Sequence, residues 1–366
     1  MTTNAYPATL PAPAAAASTT SVTVWRDAAC WPRIDLWNAS LPAELRANPT
    51  YDARWLKALQ VGLGHRPIVI EYTAGQRLRG LLPLAFVSSL LFGRHLVGLP
   101  YLNSGGVWGE TPEIQQALIQ RAVQLAAEFQ VRQLQLRHEQ PVESSLLGGQ
   151  LTSKVHMRLE LPVEEDQLWK RLSPKVRNQI RKAEKQNFTT VVGAHELLDG
   201  FYDVFSRNMR DLGTPVFSRR LFAAILNEFP ADAELCVVSQ GPQAVAAGLL
   251  VHGAGMSQVL SASSLRSFNP LCPNMLLYWK MLTRSIERQQ RTFDFGRSTI
   301  DSNTYRFKEQ WGARPTPAHW QFHLRQGDIN DLRPDNPKFS LATRIWRKLP
   351  LPLTRWLGPS IIRGIP

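Results

Sequence analysis

The sequence predicts a mixed α+β chain built from two similar units with a cleft between them, and three observations lead there. The length of 366 residues suits two domains of ordinary size. Strand-like and helix-like stretches alternate along the whole chain. The order of elements in the first half returns in the second: PIVIEY (67–72) and LRGLLPLAFV (78–87) form a hairpin around TAGQ, a helical pattern covers 113–129, and VRQLQLR (131–137) alternates as a strand. ELCVVSQ (234–240), AVAAGLLVHG (244–253) and SQVLSASS (257–264) then precede a helix over 273–290 and the strand RTFDFGR (291–297). GLL recurs at Gly80 and Gly248, and the two helix–strand pairs end at Arg137 and Arg297. The repeat lies in element order rather than in residue identity. The expected division is a leader over 1–20, a first unit over 21–155, a second unit over 156–330 and a basic amphipathic tail over 331–366.

Taken in order, the first 20 residues are rich in Ala, Pro and Thr and lack a basic start and a leucine-rich core. They read as a disordered leader, not an export signal, which puts the protein in the cytoplasm. SVTVW (21–25) alternates as a strand. The helix at 113–129 carries Ile114, Leu118, Ala122, Leu125 and Phe129 on one face. Thr111 is its expected cap, and Pro112 opens it. In the second half, LSPKVRNQIRKAEKQ (172–186) begins with the cap Ser173 and Pro174, and Val176, Ile180 and Ala183 form its apolar stripe. From Lys170 to Lys185 there are seven basic residues and one acidic. A helix N-terminus beside such a fan favours phosphate or carboxylate, and Arg177, Arg181 and Lys182 are its candidate contacts. A further helix starts near Leu197 and is broken by Gly213, Thr214 and Pro215, with Asn208 and Arg210 just before the break. In the tail, Leu341, Ile345 and Leu349 recur at four-residue spacing among basic residues, and the prolines at 350, 352 and 359 should cut any helix short. Lys338–Pro366 holds six Lys/Arg and no acidic residue, a pattern that fits peripheral contact with anionic lipid.

Composition removes several classes. No apolar run approaches the roughly 18 residues of a membrane-crossing helix. Three scattered cysteines, Cys30, Cys236 and Cys272, suit a reducing compartment and give neither a disulfide framework nor a zinc site. The formal net charge of +13 implies an anionic partner without choosing among nucleic acid, phosphorylated sugar and membrane surface.

The stretch DFGRSTIDSNTYRFKEQWGA (294–313) concentrates the candidate chemistry. Its DFG triplet is not that of a protein kinase, because no glycine-rich loop, strand lysine or HRD-type loop precedes it. Phe293 and Phe295 should face one side of the strand and Asp294 and Gly296 the other, with Gly296 turning the backbone so that Arg297 and Ser298 leave the strand toward a cleft. Phe307 and Trp311 are four apart and pack on one side of a turn. Lys308, held between them, is suited to a developing oxyanion or a phosphate. Asp294 and Glu309 are the carboxylates available as proton acceptors. His138, His195, His252 and His319 fall in no metal-ligand pattern, and GxSxG is absent, so neither a metal site nor a serine-hydrolase elbow is expected.

Six segments, LSPKVRNQIRKAEKQ, FYDVFSRNMRDLGTPVFSRRLF, LCPNMLLYWKML, FDFGRST, YRFKEQWGARPTPAHW and NPKFSLATRIWRKLPLPLTRWLGP, together resemble the FemAB-related proteins associated with exosortase/PEP-CTERM systems. More distantly the second half is similar to the BioF2-like acyltransferase domain. The resemblance implies two tandem GCN5-related acyltransferase-like (GNAT) units. It also implies transfer of an acyl or aminoacyl group to an amine or hydroxyl of a cell-envelope or exopolysaccharide precursor, without metal or bound cofactor. Aminoacyl-tRNA or acyl-CoA would be the donor, and an anionic small molecule or lipid-linked glycan precursor the acceptor. By the family's FK-x-x-(F/W)-G segment, Lys308 inherits the catalytic role. Arg177, Arg181, Lys182, Asn208, Arg210, Asn274, Arg297, Ser298, Tyr305, Phe307 and Trp311 are the substrate-binding candidates. SFNPLCPN stands where CoA-binding relatives carry (R/Q)-x-x-G-x-(G/A), which disfavours acetyl-CoA, and no coiled-coil arm for tRNA is present. A CoA-dependent N-acyltransferase and a non-catalytic binding module for anionic polymers or membranes are the alternatives.

Overall fold

The computed structural model describes residues 19–326 and 340–365. The expected leader lies outside them apart from its last two residues, and so does 331–339 of the tail. Strand β1 (Thr20–Arg26) is followed by short helices, α1 (Ile34–Ser40), α2 (Ala43–Ala47) and α3 (Arg54–Leu63). The hairpin β2 (Arg66–Ala74) and β3 (Arg77–Ser89) leads to β4 (Gly93–Val97) and β5 (Trp108–Gly109). Helix α4 (Pro112–Glu128), β6 (Gln133–His138) and β7 (Gly149–Leu151) complete the first half. The second half opens with β8 (Lys154–Glu160), α5 (Glu165–Arg171), α6 (Pro174–Glu184) and β9 (Phe188–Gly193). It continues through α7 (Leu198–Leu212), α8 (Arg219–Glu228), β10 (Ala233–Gln240), β11 (Gln243–His252) and β12 (Met256–Ser264). Then come α9 (Pro273–Glu287), β13 (Thr292–Thr299), α10 (Asn303–Glu309), β14 (Arg314–Pro317) and β15 (His319–Leu324). Two C-terminal helices follow, α11 (Ser340–Trp346) and α12 (Leu351–Ile362).

Each half builds one mixed sheet. The first runs β1-β2-β3-β4-β6-β15-β7, with β5 on β3, and the second runs β14-β8-β13-β12-β11-β10-β9. In each, an antiparallel hairpin and a third strand lead through a helix to a strand that pairs parallel to the third: β4 with β6 across α4, and β12 with β13 across α9. A parallel neighbour requires such a crossover, which is why the repeat shows in element order. One strand departs from the linear division. β15, within the stretch assigned to the second unit, crosses back and pairs with β6 and β7 of the first sheet.

The periodic helices form as their patterns dictate. Ile114, Leu118, Ala122 and Leu125 of α4 are buried on the first sheet, and Val176, Ile180 and Ala183 of α6 are buried in the second half, where the helix packs on α9. Ser173 caps α6, its Oγ accepting the Val176 N–H at 3.4 Å. Thr111 occupies the cap position of α4 but accepts no backbone N–H there. The prolines do not interrupt α12. Pro352 sits in its first turn, where the missing donor has no role, and Pro359 is carried inside the helix at the loss of one backbone bond.

Each sheet has an apolar cluster of its own, and a third cluster is shared between the halves. Trp37, Trp55, Leu56 and Leu59 of the first half share one apolar cluster with Phe201, Phe205, Phe222 and Leu249 of the second. Its seam is α3 on α8, where Gly62 lies so close that an added Cβ would stand 2.6 Å from the Leu221 Cα. Gly62→Val should push these helices apart and cost about 1–3 kcal/mol. A urea titration followed by tryptophan fluorescence should show this as one shifted transition, whereas two separate transitions would contradict a shared core.

Candidate active site between the two sheets

Strand β13 is bent by its own aspartate. Asp294 is fully buried, and its Oδ1 accepts the Gly296 N–H at 2.7 Å while its Oδ2 accepts from Arg158 Nε and Gln258 Nε2, each at 3.2 Å. Gly296 takes φ +78°, a conformation that a side chain would strain. The register with β8 breaks between Asp294 and Arg297, which is a β-bulge. On the other side, pairing with β12 ends at Gln258 and Asp294 although both strands continue. The strands therefore part at the bulge and open a wedge. Phe293 and Phe295, whose rings meet edge to face at 4.7 Å, anchor the strand in the core.

Lys308 is aimed at this wedge. Ser302 caps α10 by accepting the Tyr305 N–H, and Phe307 and Trp311 pack against Tyr278 with ring centroids at 5.0 and 6.1 Å. The Lys308 Nζ donates to the carbonyls of Gly296 at 3.0 Å and Arg297 at 2.9 Å. The side chain is 8% exposed, more deeply set than a cleft-lining lysine. Burial lowers its pKa to about 8, the Asp294 charge opposing and the Arg297 charge adding to the fall.

A charged network joins this strand to the other sheet. Arg158 of β8 holds Glu139, just past β6, through both guanidinium ends, with Nη1 to Oε2 at 2.9 Å. Ser104 Oγ and Asn48 Nδ2 each donate to Glu139 Oε1 at 2.7 Å. Burial pushes the Glu139 carboxyl up, but the bonds and charge of Arg158 outweigh it and hold it below its ordinary value. Clefts of about 290 Å³ beside Asn48 and Tyr51 and about 570 Å³ beside Arg158 and Trp311 open at the two ends of this network.

The repeated arginines meet on one ring. Arg137 of β6 and Arg297 of β13 both stack on Trp320 of β15, at 4.2 and 3.9 Å from the ring centre. Neither has a carboxylate within ion-pair distance among the described residues. Arg137 Nη1 donates to the Leu102 carbonyl at 2.8 Å, and Arg297 Nε donates to Asn103 Oδ1 at 2.9 Å. Burial and the neighbouring Arg297 charge drive the Arg137 pKa well down, and burial lowers that of Arg297 to about 10 against the pull of Asp294. Leu102, Asn103 and Ser104 belong to the loop after β4, where Leu99 and Tyr101 hold positive φ of 48° and 69°. That strained loop reaches both arginines and Glu139. Ser298 Oγ, Gln258 Oε1, Trp320 Nε1 and both nitrogens of His156 are buried here without hydrogen-bond partners, and His156 Nδ1 stands 3.8 Å from Asp294 Oδ2. They supply polar capacity that the chain itself does not use.

Of the residues singled out in sequence, Arg297, Ser298, Tyr305, Phe307, Lys308 and Trp311 gather along β13 and α10. Asn208, on α7, donates to Ser263 of β12 at 3.1 Å, and Arg210 is paired with its neighbour Asp211. Asn274 begins α9. Arg177, Arg181 and Lys182 lie apart on α6, which packs on α9, and Arg181 stacks on Trp169 at 5.3 Å. Glu309 is exposed, and the oxygens of Asp294 are taken up by the bulge and the network. Sequence reasoning did not single out Asn103, Glu139, His156, Arg158 or Trp320. The one signal that pointed here was the repeat itself, whose matching strand ends are Arg137 and Arg297.

Residues 170–309 match the model of an acetyltransferase (GNAT) domain. The chain is similar in structure to FemX, with 15% identity, 84% of this chain and 98% of that one covered, and a TM-score of 0.58. It is also similar to a tandem GNAT protein from the clavulanic acid biosynthesis pathway, at 10% identity, with 84% and 100% covered and a TM-score of 0.55. A conserved protein of unknown function from Bacteroides thetaiotaomicron aligns at 10% identity over 80% of this chain and 97% of that one, with a TM-score of 0.53. No curated protein matches the sequence. The fold is thus a tandem GNAT fold, and with the domain match it supports an acyltransferase.

Asp294→Asn keeps the size of the side chain but removes the charge that faces Arg158 and Lys308. The loss of one partner from a buried pair should cost on the order of 3 kcal/mol in urea unfolding. It should also move the Lys308 titration further down from about 8, read by NMR on labelled lysine.

Proposed function

We propose that this protein transfers an acyl or aminoacyl group to an amine or hydroxyl of an anionic cell-envelope or exopolysaccharide precursor. The reaction centre is the wedge between β12 and β13. The observation that carries this reading is Lys308: a buried ammonium whose only hydrogen-bond partners among the described residues are the two carbonyls at the bulge. An ester or thioester carbonyl laid along Gly296 would bring its oxygen within reach of that ammonium. An added Cβ on Gly296 would stand only 3.9 Å from Nζ, so glycine leaves the approach open. As the acceptor amine or hydroxyl attacks, the carbonyl oxygen gains negative charge, which Lys308 stabilises in a water-poor setting. The intermediate then collapses with cleavage of the donor's ester or thioester bond. The donor leaves as its free hydroxyl or thiol, and the proton it gains balances the one the acceptor loses. Arg297 and Arg137 hold the anionic part of the substrate, and Asp294 positions the bulge rather than taking a proton. The motif resemblance supports an exopolysaccharide setting with exosortase/PEP-CTERM systems, and a lipid-linked precursor at the inner face of the membrane as acceptor.

The match to an acetyltransferase domain favours a second reading in which acyl-CoA is the donor. Against it, the turn before α9 carries Pro270 and Pro273 and places Cys272 at φ 62°, in place of a glycine-rich phosphate loop. Against aminoacyl-tRNA, the longest helix among the described residues has 17 residues, so no extended helical arm is present. Parallel assays with radiolabelled aminoacyl-tRNA and acyl-CoA decide between donors. If neither donor supports transfer to an envelope precursor, the transferase reading fails.

Lys308→Met should lower turnover by roughly 10²–10³-fold while leaving the protein folded. Because the protonated form is the active one, wild-type turnover should fall as pH rises through about 8. The stability effect has the opposite sense. The folded pKa of about 8 lies below the ordinary 10.5, so between those values the unfolded chain binds more protons and the folded state gains stability with rising pH. Relative to Lys308→Met, the wild type should therefore become more stable across that window, as measured by urea titration at several pH values.

A further inference from the structure

The C-terminal helices are fastened by their inner faces and bare on their outer ones. Arg355 of α12 donates to Asp203 Oδ1 at 2.6 Å and to Ser206 Oγ at 2.9 Å, both on α7. Thr354 is buried, and Gly358 lies so close to Val216 that a Cβ would stand 2.8 Å from its backbone nitrogen. The end of α12 reaches the β3–β4 turn. There Gly364 packs on Ser89 and Phe92, and Tyr101, in the loop after β4, donates its hydroxyl to the Arg363 carbonyl at 2.8 Å. Arg347, past α11, donates to the Leu212 carbonyl at 3.2 Å, and Thr343 packs on Gly213.

What remains outside is apolar and basic. Leu341 and Ile345 of α11 are 64% and 54% exposed, Trp356 of α12 is 74% exposed, and Leu90 and Leu91 of the adjoining turn are 107% and 74% exposed. Arg344, Arg347, Lys348 and Arg363 accompany them and have no carboxylate partner among the described residues. Residues 340–365 contain no Asp or Glu, and Arg355 alone is committed to an ion pair. Protruding leucines cost solvation in water, and unpaired cations beside them suit a surface of negative charge and apolar depth.

We propose that this strip, formed by α11, α12 and the Leu90–Leu91 turn, docks on an anionic lipid bilayer. Leu90, Leu91, Ile345 and Trp356 would enter the headgroup region, and Arg344, Lys348 and Arg363 would meet lipid phosphates. A bilayer is favoured over a second copy of the chain because a net charge of +13 and a strip without carboxylates repel their own kind. The proposal deepens the peripheral location given above and does not depend on the transfer chemistry, since it is read by binding alone.

The test uses the full-length protein and sedimentation with vesicles of phosphatidylcholine alone or mixed with phosphatidylglycerol. The wild type should sediment with the mixed vesicles, far less with the neutral ones, and less as salt rises. Three double variants, Leu90→Ser/Leu91→Ser, Ile345→Ser/Trp356→Ser and Arg344→Gln/Lys348→Gln, should each cut partitioning by roughly tenfold. Because the altered side chains are exposed, melting temperature should not move. Brominated phosphatidylglycerol should quench the wild type more strongly than Trp356→Phe, which keeps the fold and removes one emitter. Failure of the wild type to sediment with anionic vesicles overturns the proposal, as does binding indifferent to salt and to all three variants. A change from dimer to monomer in Ile345→Ser/Trp356→Ser, without lipid binding by the wild type, assigns the strip to self-association and likewise overturns it.

Discussion

The arrangement between the sheets depends on one carboxylate, Asp294. Its two oxygens do different work: one fixes the Gly296 N–H and so creates the bulge, and the other anchors Arg158, which in turn grips Glu139 on the far sheet. A single buried side chain thereby sets both the shape of the wedge and its alignment with the neighbouring unit. Buried ion pairs gain little stability over apolar packing, but they tolerate few alternative geometries. That is the property a reaction site needs, because orientation errors of an ångström are costly in rate.

The two units have diverged in what fills their parallel strand pair. In each, only three residue pairs hold the parallel strands together. In the first unit the space beyond is occupied by the chain itself: Gly98 donates to the Gln135 carbonyl at 2.8 Å, and Gly105 bridges Arg137. In the second unit the strands open at the bulge, and Lys308 is directed there. The loop that closes the first wedge also carries Leu102, Asn103 and Ser104 to the second. The first unit thus serves as a wall for the site in the second, and the match of residues 170–309 to an acetyltransferase domain lies on that same side.

What was legible in sequence was local. The hairpins, α4, α6, α9 and β13 carry periodic apolar residues and recognisable starts, so their existence follows from short-range rules. Helices α1 and α2 are too short to show a period and take their form from the shared core, whereas α3 carries Trp55, Leu56, Leu59 and Leu63 at helical spacing, a signal that sequence reasoning did not use. The return of β15 was invisible for a different reason. Its contact between His138 and Gln321 spans 183 positions, and nothing within HWQFHL names its partner strand. At the site, the aromatic neighbours of Lys308 were readable from their spacing. Its burial on two backbone carbonyls was not, because that depends on a bulge set by Asp294. The basic fan of α6 was the strongest charge signal in the chain, yet it lies on a helix packed against α9 rather than on β13.

The balance of charge between the sheets explains why the site should take an anion. Glu139 and Asp294 face Arg158 directly and neutralise it. Lys308 and Arg297 share only the remaining pull of Asp294, and Arg137 is depressed by burial and by the Arg297 charge, at a depth where water screens poorly. Their lowered pKa values are the sign of that cost: each cation is held in place by packing, by backbone carbonyls or by a tryptophan face rather than by a counter-charge. A phosphate or carboxylate entering beside Arg297 would supply the missing charge and raise the proton affinity of Lys308 at the moment its ammonium is needed. On the proposed reading, binding of an anionic substrate and activation of the lysine would be one electrostatic event, and the burial that costs the free protein stability would strengthen its hold on that substrate.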